Sequence, residues 1–98
     1  MADALRGLRI LVTGATGGVG EALVTELVGR GAQVLIHGRD DKSLAVLGER
    51  LGIPHERRFL ADLSSLSRVA QLARALAAAG SLDVLVNNAG VAFGRDRT

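Results

Sequence analysis

The sequence predicts an α/β fold: a doubly wound parallel sheet of four strands in spatial order 3-2-1-4, with helices on both faces. Three observations carry this expectation. Short apolar runs of β-forming residues alternate with segments whose apolar residues recur at helical spacing. The connections between them are short, as right-handed βαβ crossovers require. A glycine-rich octapeptide, Thr13 to Gly20, separates the first apolar run from the first helical segment.

Each element has its own signal. Leu8 to Val12 (LRILV) reads as the first strand, broken by Thr13-Gly14. From Val19 the period changes. Val19, Leu23 and Leu27 recur at helical spacing to about Arg30, and Gly31 ends the helix. Ala32 to His37 (AQVLIH) is the second strand, closed by Gly38. Asp40 or Asp41 can cap a helix over Lys42 to Leu51, with Leu44, Leu47 and Leu51 on one face and Gly52 and Pro54 at its end. Arg58 to Ala61 (RFLA) is a short third strand. Ser64 or Ser65 starts a long helix to about Ala79, whose buried stripe is expected to be Leu66, Val69, Ala73 and Leu76, with Gly80 as its cap. Leu82 to Val86 (LDVLV) is the fourth strand. No linker, repeat or low-complexity segment interrupts the series, so residues 1–98 read as one domain.

Composition narrows the class. Hydrophobic residues make up 48% of the 98 residues and mean hydropathy is +0.29, enough for a core. Aromatics are only 2%, so that core is aliphatic, as expected of strands buried on both faces. There is no Cys, which excludes disulfides and thiolate metal sites and fits a reducing, cytoplasmic setting. A net charge of +2 gives no argument for nucleic acid or an acidic membrane. The start resembles no signal peptide, and no run reaches the roughly 20 apolar residues of a membrane span.

The chemistry-bearing signal begins in the turn Thr13-Gly14-Ala15-Thr16-Gly17-Gly18-Val19-Gly20. Gly14 permits a sharp exit from the strand, Gly18 lets the backbone approach a pyrophosphate, and Gly20 lets the helix pack closely on the strand. Free N–H groups and the dipole at the helix start then favour an anion. In a dinucleotide fold the residue about 20 positions further on contacts the adenosine ribose. Gly38 occupies that place, where a carboxylate would accept from a 2′-OH, and Arg39 follows with a guanidinium fork suited to a 2′-phosphate. That pattern favours NADP. Asp40 and Asp41 keep NAD open, since either could accept from the ribose in another loop register.

At the end of the fourth strand stands Asn87-Asn88-Ala89-Gly90. With the TGxxxGxG turn and the intervening βα units, this NNAG tetrapeptide resembles the short-chain dehydrogenase/reductase family, over nearly all of residues 8–98. The turn alone also fits the TGxxGxxG spacing of the extended branch; NNAG selects the compact branch. A finer likeness, carried by ADLSSLSRV and LDVLVNNAG, is to the retinol-dehydrogenase and protochlorophyllide-reductase-like subgroup.

The resemblance implies a Rossmann-type domain that binds NADP, or less readily NAD, through Gly14, Thr16, Gly17, Gly18, Val19, Gly20, Arg39, Asp62, Leu63, Asn88, Ala89 and Gly90. Asp62 would accept from the adenine amino group, besides capping the helix near Ser64. Many NADP-binding members carry a basic residue where this chain has Gly17. It implies hydride transfer between nicotinamide and an alcohol or carbonyl substrate, and a homo-oligomeric parent. It also implies a catalytic Tyr and a Lys four residues later, well past Thr98. The chain has no Tyr, and its sole lysine, Lys42, lies in the second helix. No catalytic residue is therefore assigned. His37 and His55 are expected to be structural or solvated, and no metal-ligand cluster is present. Three readings follow: an NADP-dependent oxidoreductase cut at its C-terminal side, with the outer edge of the fourth strand unpaired and the chain unstable or self-associating; a non-catalytic dinucleotide-binding module or sensor; or a fold with an empty crevice, against which the intact glycine turn argues.

Overall fold

A computed structural model describes residues 4–64 and 66–88. Strand and helix alternate through β1 (Arg9–Val12), α1 (Gly18–Gly29), β2 (Gln33–Gly38), α2 (Asp41–Leu51), a 3-10 turn at His55–Arg57, β3 (Arg58–Leu60), α3 (Leu66–Ala79) and β4 (Val84–Val86). The strands form one sheet of order β3-β2-β1-β4. Every pairing is parallel, with Ile10 opposite Val34 and Val84, and Ile36 opposite Arg58.

Alternation along the buried strands divides the interior into two layers. Ile10, Val12, Val34 and Ile36 point to one face, where they meet Val24 of α1, Leu44 and Leu47 of α2, and Ile53. Leu11, Leu35 and Phe59 point to the other, where Leu72, Leu76 and Ala79 of α3 pack with Leu82. Each fully buried aliphatic side chain contributes roughly 1.5–3 kcal/mol relative to exposure. The chain thus winds twice in one direction (β1-α1-β2-α2-β3) and then returns across the opposite face through α3 to β4.

Element ends lie within about two residues of the expected ones, as helix and strand ends commonly do. One expectation is corrected. The buried stripe of α3 is not Leu66, Val69, Ala73 and Leu76: Leu66 is 88% exposed, Val69 is 38% exposed and Ala73 is exposed, while Leu72, Leu76 and Ala79 face the sheet. Leucine and alanine at helical spacing fit either stripe, and Leu76 belongs to both. The sheet decides. Contact with Leu11, Leu35 and Phe59 fixes the rotation that turns Leu72, Leu76 and Ala79 inward.

Two arginines fasten the frame. The backbone N–H of Arg9 donates to Asp83 (2.8 Å), and its guanidinium donates to the carbonyls of Ala79 (2.9 Å) and Ser81 (2.8 Å) and to Gln33 (2.8 Å). These bonds take up carbonyls at the end of α3 and set the entry to β4, at the opposite end of the strands from the glycine turn. Arg58 donates to the carbonyl of Ile53 (2.7 Å) and pairs with Glu49 (3.2 Å), lying over Gly48 where a Cβ would stand 2.2 Å from its Nε. β4 is an edge strand of the described sheet, and Val84 and Leu85 are 41% and 59% exposed.

Candidate functional site

The winding reverses between β1 and β4, so a crevice opens at the carboxyl ends of these strands. The glycine turn fills its floor. Thr13 donates its N–H to the Val86 carbonyl (3.0 Å), continuing the β1–β4 pairing by one residue. Gly14 then takes φ +63°, a left-handed conformation that excludes most side chains. Its N–H donates to Nδ1 of His37 (3.1 Å). Its carbonyl accepts from the Asn88 amide (3.0 Å) and the Gly17 N–H (3.3 Å). The next amide, Ala15, donates to the His37 carbonyl (2.8 Å).

The glycines of the turn have different surroundings. A Cβ on Gly20 would stand 2.2 Å from the Gly14 carbonyl oxygen and 2.8 Å from the Asn88 amide nitrogen, so α1 can approach β1 this closely only with glycine there. A Cβ on Gly18 would meet nothing within 4 Å. Gly18 therefore makes no space for the protein itself, which fits a backbone left clear for a ligand. Gly17 is the N-cap of α1 and no side chain caps that helix. Gly17, Gly18 and Val19 are exposed, Val19 by 74%.

Around this floor lies a cleft of about 370 Å³, lined by Gly14, Thr16 and Gly17 of the turn, His37 to Arg39 at the end of β2, Ala61 to Ser64 after β3, and Asn88 after β4. Seven of the predicted residues are thus brought together: Gly14, Thr16, Gly17, Arg39, Asp62, Leu63 and Asn88. Gly18, Val19 and Gly20 follow at the start of α1, outside that lining. Ala89 and Gly90 lie outside the described residues. A second hollow of about 330 Å³ sits between the starts of α1 and α2 and shares only Thr16 with the cleft.

The charged groups of the cleft sit on its outer loops. Arg39 is exposed directly after Gly38, where an added Cβ would press on Thr16 Cγ2 at 3.2 Å and Leu44 Cδ1 at 3.4 Å. Asp62 accepts from the N–H (3.0 Å) and hydroxyl (2.8 Å) of Ser64. Those bonds, the backbone one foremost, hold its carboxyl below the ordinary range, with smaller help from Arg39 and Arg68. Of the two candidate caps for α2, Asp40 does the work, accepting from the Ser43 hydroxyl (2.6 Å) and N–H (2.9 Å). The same two bonds, led by the hydroxyl, lower its carboxyl, with desolvation acting against them. Both bonds fall on the same Asp40 oxygen, Oδ2.

The two histidines have different settings. His55 is exposed at the start of the 3-10 turn. His37 is 3% exposed, and both ring nitrogens engage backbone groups, Gly14 N–H at Nδ1 and the Ala61 carbonyl at Nε2 (2.9 Å). That bridging position was not legible in the sequence, because it depends on where β1 and β3 leave the sheet. The Asp62–Ser64 turn was signalled by an Asp two residues before a Ser. Among the described residues there is no group of His, Cys, Asp or Glu able to hold a metal, and no helix long and apolar enough to cross a membrane.

A parallel sheet wound 3-2-1-4, with a glycine turn at its switch point, defines a Rossmann-type α/β domain. The chain belongs to the short-chain dehydrogenase family, whose sequence model matches residues 9–98. It is 42% identical over 88 residues to nodulation protein G of Rhizobium sp. (strain N33), covering 89% of this chain and 36% of that protein. It is 37% identical over 90 residues to an NADP-dependent 3-hydroxy acid dehydrogenase of Escherichia coli (strain K12), covering 89% and 35%. Among solved structures it is similar to a Pseudomonas aeruginosa RhlG/NADP active-site complex, with a TM-score of 0.78 and 37% identity over 89% of this chain and 36% of that one. The chain spans about a third of the length of these relatives.

Proposed function

We propose that these 98 residues form the cofactor-holding part of an NADP-dependent oxidoreductase that moves hydride between nicotinamide and an alcohol or carbonyl substrate. The observation that carries the choice of NADP is Arg39, exposed at the mouth of the cleft directly after a glycine in the place of the ribose-binding carboxylate. A guanidinium there can take a 2′-phosphate through two parallel hydrogen bonds, with no carboxylate at position 38 to repel it. Two relatives support this reading: one is described as NADP-dependent and another was solved with NADP.

The described residues suit the adenosine and pyrophosphate parts of the cofactor. The uncapped start of α1 would take the pyrophosphate on its first amides, with Gly18 leaving the approach open. Thr16, Gly14 and Gly17 line the floor beneath it. Asp62 and Leu63 would receive the adenine, with Ser64 holding the Asp62 carboxylate in place. Asn88 pins the Gly14 carbonyl, and with Ala89 and Gly90 it would border the nicotinamide ribose. Bound nicotinamide supplies the hydride chemistry.

The sequence holds no Tyr, so these residues contribute no tyrosine–lysine pair for proton transfer. That favours, as a second reading, a binding module or sensor without catalysis. The two share one test. The purified chain should bind NADP⁺ about tenfold more tightly than NAD⁺, and Arg39→Asp should reverse the order by adding repulsion and a ribose acceptor. Equal affinities in the wild type would make Arg39 a surface residue only. With NADPH and a panel of aldehydes and ketones, the chain by itself should leave the absorbance of reduced nicotinamide unchanged; turnover would show that the proton donor lies within these residues.

A further inference from the structure

We infer that His37 is a positioning residue: one buried imidazole ties the glycine turn to the loop that carries Asp62, and so sets the spacing between the two ends of the cleft. Only the consequence for ligand affinity rests on the dinucleotide reading above; the tie itself is a property of the fold.

The hydrogen-bond chemistry fixes the ring. Gly14 N–H can only donate, so Nδ1 must accept; the Ala61 carbonyl can only accept, so Nε2 must carry the proton. The neutral Nε2–H tautomer is the one form that satisfies both. The His37 carbonyl also accepts from Ala15, and the Ala61 N–H donates to the Gly38 carbonyl (3.1 Å). The residues at the end of β2 therefore hold two successive amides of the turn on one side and both backbone groups of Ala61 on the other. Asp62 follows Ala61 directly. The polar ring sits at 3% exposure in a strand otherwise filled by Val34, Leu35 and Ile36, where an aliphatic side chain would leave the Gly14 N–H and the Ala61 carbonyl unpaired. Because Gly14 and Ala15 are already engaged by His37, the amides at the start of α1 are the ones the turn presents outward.

Two ligands separate positioning from general stability. Adenosine 2′-monophosphate, which has no 5′-phosphate, would use the Arg39–Asp62 end alone; NADP⁺ would span that end and the glycine turn. In His37→Leu, NADP⁺ affinity should fall about tenfold, from loss of both hydrogen bonds of the buried ring, while the monophosphate changes by less than about twofold. His37→Asn can still accept from Gly14 but no longer reaches Ala61, so it should stay nearly as weak for NADP⁺ as His37→Leu; full recovery would mean that the Gly14 bond alone matters and would overturn the tie. His37→Gln, able to reach Ala61 but not Gly14, should remain weak. The ligand-free chain gives a separate readout, since nitrogen NMR should show a bare Nδ1 coupled through the hydrogen bond to the Gly14 amide. Equal losses for both ligands that track the thermal midpoint, or unchanged NADP⁺ binding in the Leu variant, would overturn the positioning role. If the wild type binds neither ligand, the dinucleotide reading fails, and the NMR measurement alone decides: a protonated Nδ1 would refute the tie, and the coupling would sustain it.

Discussion

Helices α1 and α2 pack on the same face of the sheet, yet they begin in opposite ways. The start of α2 is closed by its own chain: Asp40 caps it through Ser43, and Asp41 adds a negative charge to the first turn. The start of α1 has Gly17 in the capping position and no side-chain cap. Every helix leaves four N–H groups unpaired at its start, and Asp is among the best residues to satisfy them. At α2 that need is met locally, which suits a helix whose task is to bury Leu44 and Leu47. At α1 it is left open at the switch point of the sheet, beside the cleft. The difference gives the two starts different characters: α2 is closed for stability, while α1 stays open, as the proposed anion site requires.

The contrast can be broken in graded steps. Gly20→Ala should be the most damaging single change, because its Cβ would enter the Gly14 carbonyl oxygen at 2.2 Å. We expect about 3 kcal/mol of lost stability in denaturant unfolding, with ligand binding lost alongside. Gly17→Asp should separate fold from function by making the start of α1 resemble that of α2. The position is extended (φ −78°, ψ 166°), and its Cβ would meet only the Gly14 oxygen, at 3.8 Å. Stability should hold or rise by a few tenths of a kcal/mol, while NADP⁺ affinity falls about a hundredfold as the new carboxylate takes the amides and repels phosphate. An unchanged affinity would mean that the open start of α1 is not the anion site.

The smallest effect belongs to the closed start. Asp40→Ala should lower the thermal midpoint by a few degrees and leave NADP⁺ affinity within about twofold of wild type, because it removes a cap rather than a ligand contact. Its pH dependence has a definite sign. The Asp40 carboxyl is lowered in the folded chain, so its stabilising contribution is present above the unfolded carboxylate pKa and is lost as pH falls through the folded value. An acid titration of the thermal midpoint should therefore fall less steeply in Asp40→Ala than in the wild type. Asp62 shifts in the same direction, so part of the acid sensitivity should survive in the variant.

Most of the frame was legible because each element carries an independent local signal. The order of strands and helices, the glycine C-cap at Gly52 (φ +71°) and the capping Asp follow from residues whose preferences are local. The glycine turn was legible as well, because its spacing and its strand-to-helix setting coincide. The face of α3 was not. Its alternative stripes differ only in rotation, and the choice is made by contacts with Leu11, Leu35 and Phe59 on three different strands. His37 was expected to be structural or solvated, but its bridge joins residues 23 and 24 positions away, at a distance no local pattern records. Arg39 was legible through position alone; its place beside Asp62 in one cleft required the parallel order β3-β2-β1.

The central claim, that the open start of α1 and the cleft beside it form one dinucleotide site, is tested most directly by titrating the isotopically labelled chain with NADP⁺ and following its backbone amides. A dinucleotide bound there gives saturable shifts concentrated at Gly14, Gly17, Gly18, Val19, Arg39 and Asp62, with the start of α2 at Lys42 and Ser43 moving less, and their disappearance in Gly17→Asp. Saturable shifts centred instead on the exposed Val84–Leu85 edge, or none at all in a folded chain, would contradict it.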